Sequence, residues 1–430
     1  MPLPRAPALR IDQPEDAAVP ADALLALAVA LLVGLGVVMV YSASALASAA
    51  SAGDPELLLL RHLRHLSIGG LMFAVALCAD HRRLRRWIYP LLAFSVLTLL
   101  LVNVPGVGIK VSGARRWLLG GSFQPSEAAK LALVAYLAYS LAKKRDQVKS
   151  FSVGFLPHAL VAGAVVGLVL LEPDLGTALI LAVTTGVMLF IAGARVSYLG
   201  FAGAAALPVV YHLVVNVAWR WERLMAFLDP MAHRKDTGYQ LAESLIAIGS
   251  GGLWGLGLGG GRQKLFYVPE ADTDFIFAVI GEELGLMGCV AVAALFAVIV
   301  WRGALVALRA RDDFSRLLAA GITVWLGFQA AFNMLVVTGL LPTKGLTLPF
   351  VSAGGSSLCV SLVAAGVLLN ISTRAPDPFP EPSRRRPGAP QATIDGVPIR
   401  AGAGAAAMGR AGAGASAGAG AGAAMAGEPA

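Results

Sequence analysis

Apolar runs of membrane-spanning length recur along most of the chain, each closed by a short polar or basic cluster. A continuous apolar stretch of about 20 residues crosses a hydrocarbon layer of about 30 Å. Ten segments fit that description: 22–46, 63–80, 87–104, 125–142, 155–171, 175–194, 197–217, 274–301, 317–340 and 350–372. The second is crowded by Arg61 and Arg64, and the fifth and sixth are parted only by Glu172-Pro173-Asp174. The pattern predicts an all-α polytopic membrane protein of about ten transmembrane helices. Between the seventh and eighth runs lies a long polar, glycine-rich interruption, residues 218–273.

Composition agrees with that reading. Of 430 residues, 57% are hydrophobic and only 14% charged, whereas a soluble domain carries about a quarter charged residues. The net charge of +8 does not point to nucleic acid, because the basic residues sit in short clusters between apolar runs, where topology signals belong. Clusters at 80–86, 143–149, 193–197 and 302–316, and Arg384 to Arg386 in the tail, place these loops and both termini in the cytoplasm, with 218–273 outside. Residues 1–21 are polar and proline-bearing, and the apolar run after them is too long for the core of a cleaved signal peptide. Cys78, Cys289 and Cys359 are far apart and show no metal-ligand spacing, which argues against a disulfide framework or structural zinc. Three regions are therefore expected: a cytoplasmic segment 1–21, a ten-helix domain 22–372, and a disordered Pro/Ala/Gly-rich cytoplasmic tail 373–430 that lacks the large apolar residues of a core.

Charge beside hydrocarbon is costly and marks candidate sites. Asp274 stands where the outer loop meets the eighth run. Partial burial there would raise its pKa towards that of a usable base, but an Asp at that place could equally cap the helix, as could Asp272 or Thr273. Glu127 and Lys130 lie one turn apart at the start of the fourth run. With Asp174 and Glu172 they could form either a bracing ion-pair network or the lining of a polar cavity. The outer cations Arg115, Arg116, Arg220, Arg223, Arg262, Lys264 and Lys344 suit a phosphate-bearing ligand, or lipid head groups. Trp117, Trp219 and Trp221 read as interfacial anchors. Gly255, Gly257 and Gly260 spell G-x-G-x-x-G, but no βαβ unit surrounds them, so a flexible or closely packed loop is expected instead. Residues 341–357 interrupt apolar helix with two prolines, three glycines and several hydroxyls. Irregular backbone at such depth must be buried in protein or face water, which suggests a re-entrant loop.

Five separated stretches, Gln124–Lys130, Glu172–Thr177, Gly238-Tyr239-Gln240, Gln263–Gly285 and Leu341–Ser357, resemble in order the SEDS family of bacterial cell-wall proteins, over residues 22–372. Residues 263–270 and 341–347 are more similar to its division members than to its elongation members. The resemblance implies a peptidoglycan glycosyltransferase that polymerises lipid II with inversion, undecaprenyl diphosphate leaving, in the inner membrane at the division septum. It implies Asp274 as the catalytic base; Glu127, Lys130 and Asp174 in the central cavity; and a class B penicillin-binding protein and other division proteins as partners. Arg115, Arg116, Arg220, Arg223, Lys264 and Lys344 become candidates for the phosphates. A divalent ion (Mg or Mn) could assist the diphosphate, although no acidic cluster specifies one and no other cofactor is implied. A lipid II flippase and a non-catalytic division scaffold are the competing functions. The family usually has His before the Thr-Asp pair, where this chain has Asp272, an extra anion that could raise the pKa of Asp274.

Overall fold

The computed structural model describes residues 20–111, 114–262 and 270–374, together with the short antiparallel pair Thr393–Ile394 and Val397–Pro398. The chain divides into units 1–376 and 377–430. Of the second only that pair is described, so the expected disorder of the tail, like the segment 1–19, lies outside the described residues.

Each of the ten apolar runs forms a helix. The first seven are α1 (Ala23–Ala52), α2 (Leu57–Cys78), α3 (Leu84–Asn103), α4 (Pro125–Lys143), α5 (Leu156–Leu171), α6 (Leu175–Ile191) and α7 (Val196–Val215). Seven of the ten are long and apolar enough to cross a membrane by length and composition, and α6 is a shorter apolar helix. The exceptions α2 and α4 carry polar chemistry at their starts, Arg61 to His65 in one and Glu127 with Lys130 in the other. Large apolar side chains face outward along the bundle, among them Leu71, Val75, Trp87 and Leu97, each more than half exposed. In water such a surface would be a liability; in lipid it is the expected exterior, and the chain is a multi-pass membrane protein. One helix, α7, has no buried residue.

The interruption at 218–273 is more ordered than its polarity suggests. It contains α8 (Ala218–Leu228) and α9 (Tyr239–Gly251), followed by the glycine run, which docks on the start of α10 (Ile276–Arg309). There Leu256 N–H donates to Glu282 O and Gly257 N–H to Glu283 O, both at 3.0 Å. Gly259 N–H meets the Glu283 carboxylate at 3.0 Å, and Arg262 N–H meets Glu282 at 2.7 Å. At Gly255, with φ +79°, an added Cβ would stand 2.1 Å from Glu283 O. Close backbone packing is thus the reason for glycine here. The last two helices are α11 (Asp313–Val337) and α12 (Gly355–Ser372). A hairpin, β1 (Ile109–Val111) with β2 (Ala114–Trp117), fills the α3–α4 turn and was not foreseen from hydropathy.

Residues from segments that the basic clusters assign to the inner side meet at one end of the bundle. Arg302 pairs with Asp22 at 2.6 Å, Arg374 with Asp80 at 3.1 Å, and Arg145 with Asp313 at 2.8 Å; Arg85 pairs with Asp312. Buried His81 hydrogen-bonds both Asn370 and Ser315 at 2.7 Å. All these residues belong to segments assigned to the inner side. Asp274 and its surroundings lie at the other end.

Candidate active site

Asp274 is held from both sides by segments remote in sequence. Asn333 of α11 donates through Nδ2 to Asp274 O at 2.8 Å and to Leu346 O at 2.5 Å. It thereby ties the start of α10 to the irregular loop 341–354. Ser352 donates to Thr273 O at 2.6 Å and accepts from Leu348 N–H at 2.8 Å. That loop is buried in protein: Leu346, Leu348, Phe350 and Val351 are each at most 4% exposed, as its sequence required of irregular backbone at this depth. Gly36 of α1 allows the approach, since a Cβ there would lie 2.8 Å from Phe350 O.

No side chain caps α10, whose N-cap is Phe275. Capping by Asp274, Asp272 or Thr273 is therefore not seen, and among the described residues no side-chain hydrogen bond or ion pair engages the Asp274 carboxylate. Its Oδ2 faces Gly345, where a Cβ would stand only 2.6 Å away. Desolvation, with Glu270 and Asp174 adding to it and Arg116 opposing, pushes the Asp274 pKa up to about 7. The unusual neighbour Asp272 also acts upward, but less than Glu270 or Asp174, and its side chain lines a different cleft.

The cations divide. Arg116 donates from Nε to Glu172 O at 3.0 Å and from Nη2 to Pro173 O at 2.8 Å, clamping the turn that joins α5 to α6. Its charge is felt by Asp274, Glu172, Arg220, Arg223 and Lys344. Trp219 gathers three of these: the Arg220 guanidinium lies 4.9 Å, that of Arg223 5.3 Å and the Lys344 ammonium 5.9 Å from the centre of its rings, within reach of cation–π attraction. Burial pulls the Lys344 pKa down to about 8, with Asp174 acting against it and Arg116 and Arg223 with it. Arg220 also donates to Leu213 O at 2.8 Å. Arg115, in contrast, is exposed on the hairpin opposite Lys110, and nothing ties it to this group. Lys264 lies outside the described residues.

Asp174 is a buried helix cap. It accepts from Thr177 N–H at 3.2 Å and from Thr177 Oγ1 at 2.8 Å, so it reaches Asp274 and Lys344 through its field. Glu127 and Lys130, 4% and 1% exposed, pair at 2.9 Å. Lys130 also donates to Gln329 at 2.7 Å, and Gln329 donates to Thr347 O at 2.9 Å. The pair thus stands behind the loop and braces it. Breaking a buried pair of this kind costs about 3–5 kcal/mol.

Three contributors were not among the residues sequence reasoning nominated for the site: Asn333, Gln329 and Trp219, the last of which read only as an interfacial anchor. Glu172 is fully buried, and burial, with Asp174 adding, raises its pKa to about 9, so it is protonated at neutral pH beside the Arg116 clamp. Sequence reasoning marks it, with Asp174, as a charge of a bracing network or a polar cavity. Among the described residues no group of three or more His, Cys, Asp or Glu side chains gathers to hold a metal ion.

What the arrangement can do follows from its charges. A carboxyl group that ionises near neutrality lies within the field of Arg116 and Arg223, and Arg220 and Lys344 join Arg223 around Trp219. None of those four cations makes an ion pair within 4 Å among the described residues. This suits proton removal from one group beside stabilisation of an anionic leaving group.

Comparison with known proteins points the same way. The family model described as cell cycle protein, covering FtsW, RodA and SpoVE, matches residues 22–376. A probable peptidoglycan glycosyltransferase FtsW from Geobacter sulfurreducens is 49% identical over 355 residues, 82% of this chain and 95% of that one. Stage V sporulation protein E of Bacillus subtilis is 41% identical over 353 residues, 82% and 96% of the two chains. Among solved structures, a peptidoglycan synthase complex that coordinates polymerization and crosslinking contains a chain with a TM-score of 0.67 and 33% identity, covering 82% of this chain and 97% of that one. The rod shape determining protein RodA of Thermus thermophilus has a TM-score of 0.60 and 34% identity, covering 83% and 98%.

Proposed function

The chain belongs to the SEDS family of FtsW, RodA and SpoVE, and from that premise we propose that it is a peptidoglycan glycosyltransferase of septal wall synthesis that polymerises lipid II. The observation that supports the reading is Asp274, poised near neutrality by burial, within the field of Arg116 and Arg223, which with Lys344 make no ion pair among the described residues.

In the reaction, the 4-hydroxyl of the acceptor's terminal GlcNAc attacks C1 of the donor MurNAc. The O4–C1 bond forms, the bond from C1 to the diphosphate oxygen breaks with inversion, and undecaprenyl diphosphate departs with its electron pair. Asp274 takes the hydroxyl proton; general-base help of this kind contributes roughly 10²- to 10⁴-fold. The developing charge on the diphosphate falls to Arg116, Arg220, Arg223 and Lys344, with the two-pronged guanidinium suited to phosphate oxygens. The transition state at C1 is oxocarbenium-like, as in glycoside hydrolysis. The described residues do not build a closed metal site, so no step is derived through a divalent ion.

The working unit on this reading is the helical domain 22–372 in the inner membrane at the septum. Its termini are cytoplasmic, and a class B penicillin-binding protein with other division proteins is its company. The relationship to a chain from a complex that couples polymerization to crosslinking supports the first of those partners.

A vesicle assay tests the reading against lipid transport. Purified protein and its penicillin-binding partner are placed in vesicles with labelled lipid II. Conversion of label into glycan strands supports polymerisation. Label that crosses the bilayer and stays monomeric would make the protein a flippase.

A further inference from the structure

Two buried amides on one face of α11 hold the loop that carries Lys344. Gln329 and Asn333 are four residues apart, hence neighbours on the helix surface, and neither is more than 1% exposed. The orientation of each amide follows from its partners. Gln329 Oε1 accepts from the Lys130 ammonium at 2.7 Å and from Trp325 Nε1–H at 2.9 Å. Neither of those groups can accept a hydrogen bond, so the amide oxygen must face them, and Nε2 is left to donate to Thr347 O at 2.9 Å. Asn333 faces two carbonyl oxygens, Asp274 O at 2.8 Å and Leu346 O at 2.5 Å. These can only accept, so Nδ2 must point at them. The two amides thus grip successive carbonyls of the loop.

Asn333 does more than anchor the loop. Its one nitrogen joins the segment that carries the base to the segment that carries a cation, since Leu346 lies two residues beyond Lys344. The Asp274 carboxylate lies across this junction, with Oδ2 so close to Gly345 that a Cβ there would stand 2.6 Å away. The bridge leaves Asn333 Oδ1 buried and, among the described residues, without a hydrogen-bond partner. An unmatched buried oxygen is destabilising, and a residue selected for stability alone would not leave one. Departures of this kind from the rules of a stable core belong to places where position serves function.

We propose that Asn333 is a positioning residue for glycosyl transfer, which sets the distance between the Asp274 carboxylate and the Lys344 ammonium, with Gln329 as a second and weaker support oriented by Lys130. The inference rests on the polymerase reading. In an inverting displacement the acceptor hydroxyl attacks one face of C1 while the diphosphate leaves from the other, so the base and the cation must be in place at the same moment. They sit on segments remote in sequence, and Asn333 fixes one against the other. A misplacement of about 1 Å costs about 10²-fold in rate. Asn333 itself touches neither sugar nor phosphate; it acts through Asp274.

The test is a mutant cycle with the base. Asn333→Leu keeps the size of the side chain and removes both bonds. In full-length protein with its penicillin-binding partner and lipid II, kcat should fall about 10²-fold while KM stays within about twofold. Gln329→Met frees Thr347 alone and should lower kcat by less. In the Asp274→Asn background no base is left to position, so adding Asn333→Leu should lower the residual rate no further. The pH profile is a second readout: with the carboxylate released from its place against Gly345, the acid limb should move down from about 7. A lower melting temperature with unchanged turnover per folded molecule would make Asn333 structural only. A raised KM with kcat unchanged would place it on the substrate, and a full further loss on top of Asp274→Asn would show that it does not act through the base. Each of these overturns the proposal and leaves the polymerase reading intact. If Asn333→Leu fails to fold, the same cycle with Gln329→Met decides, additivity again overturning the proposal. Absence of glycan strands from the unaltered protein would overturn the polymerase reading, and this inference with it.

Discussion

The two ends of the bundle handle charge in opposite ways. At the inner end opposite charges meet directly: Asp22 with Arg302, Asp80 with Arg374, Asp312 with Arg85 and Asp313 with Arg145. Neutralised in this way, they tie the loops and helix ends together and leave little for a ligand. At the outer end Arg116, Arg220, Arg223 and Lys344 crowd together around Trp219 and the Glu172 turn, and the carboxylate within their field, Asp274, is desolvated instead of paired. Like charges held close without partners cost stability. The arrangement is economical only if an anion arrives, which is what a departing diphosphate would be. On the proposed function, the contrast separates charges that hold the fold from charges that would meet substrate.

The comparison breaks first at Asp274. Asp274→Asn keeps the size of the side chain and removes its basicity, so lipid II turnover should fall by about 10²- to 10⁴-fold, with membrane insertion and melting temperature near those of the parent. A smaller loss is expected from Gly345→Ala. The new Cβ would stand 2.6 Å from Asp274 Oδ2 and push the carboxylate aside, and a misplacement approaching 1 Å costs about 10²-fold in rate. Turnover of the purified variant measures this, and an unchanged rate would show that the position of the carboxylate is unimportant. The smallest effect on activity belongs to the inner end. Arg302→Ala leaves Asp22, whose side chain is 7% exposed, without its partner and should cost about 1–3 kcal/mol, seen as a lower melting temperature. Turnover per folded molecule should be unchanged; a loss matching that of Gly345→Ala would erase the distinction between the ends.

Hydropathy made the helices legible and left the site only half so. The ten apolar runs were readable because each element must shed its polar groups to cross lipid, and their edges agree with helices such as α4 and α12 to within a few residues. The helices α8 and α9 were hidden because at 11 and 13 residues they are too short to read as spans, and α8 is polar as well. Asp274 was visible as a charge at a membrane edge, but spacing could not tell a cap from a base. In the structure no described side chain caps α10, which removes one of the two alternatives at that end without testing the other. Glu127 and Lys130 were visible as a pair, yet their partner Gln329 lies 199 residues beyond Lys130, and no local pattern carries that information. Trp219 read as an interfacial anchor because its cation Lys344 comes from another part of the chain, brought near only by the fold.

A mutation alters shape as well as charge, whereas pH alters protonation alone, so the pH dependence of kcat/KM is the most direct test of Asp274 as the base. Below about pH 7 Asp274 holds its proton and cannot accept another, so the rate should rise about tenfold per unit as pH climbs towards 7. Above about pH 8 Lys344 sheds its charge, and the rate should decline; Lys344→Arg, which stays charged, should abolish that decline and leave the acid side unchanged. A profile flat from pH 5 to 7, or an acid limb that persists in the residual activity of Asp274→Asn, would contradict the account.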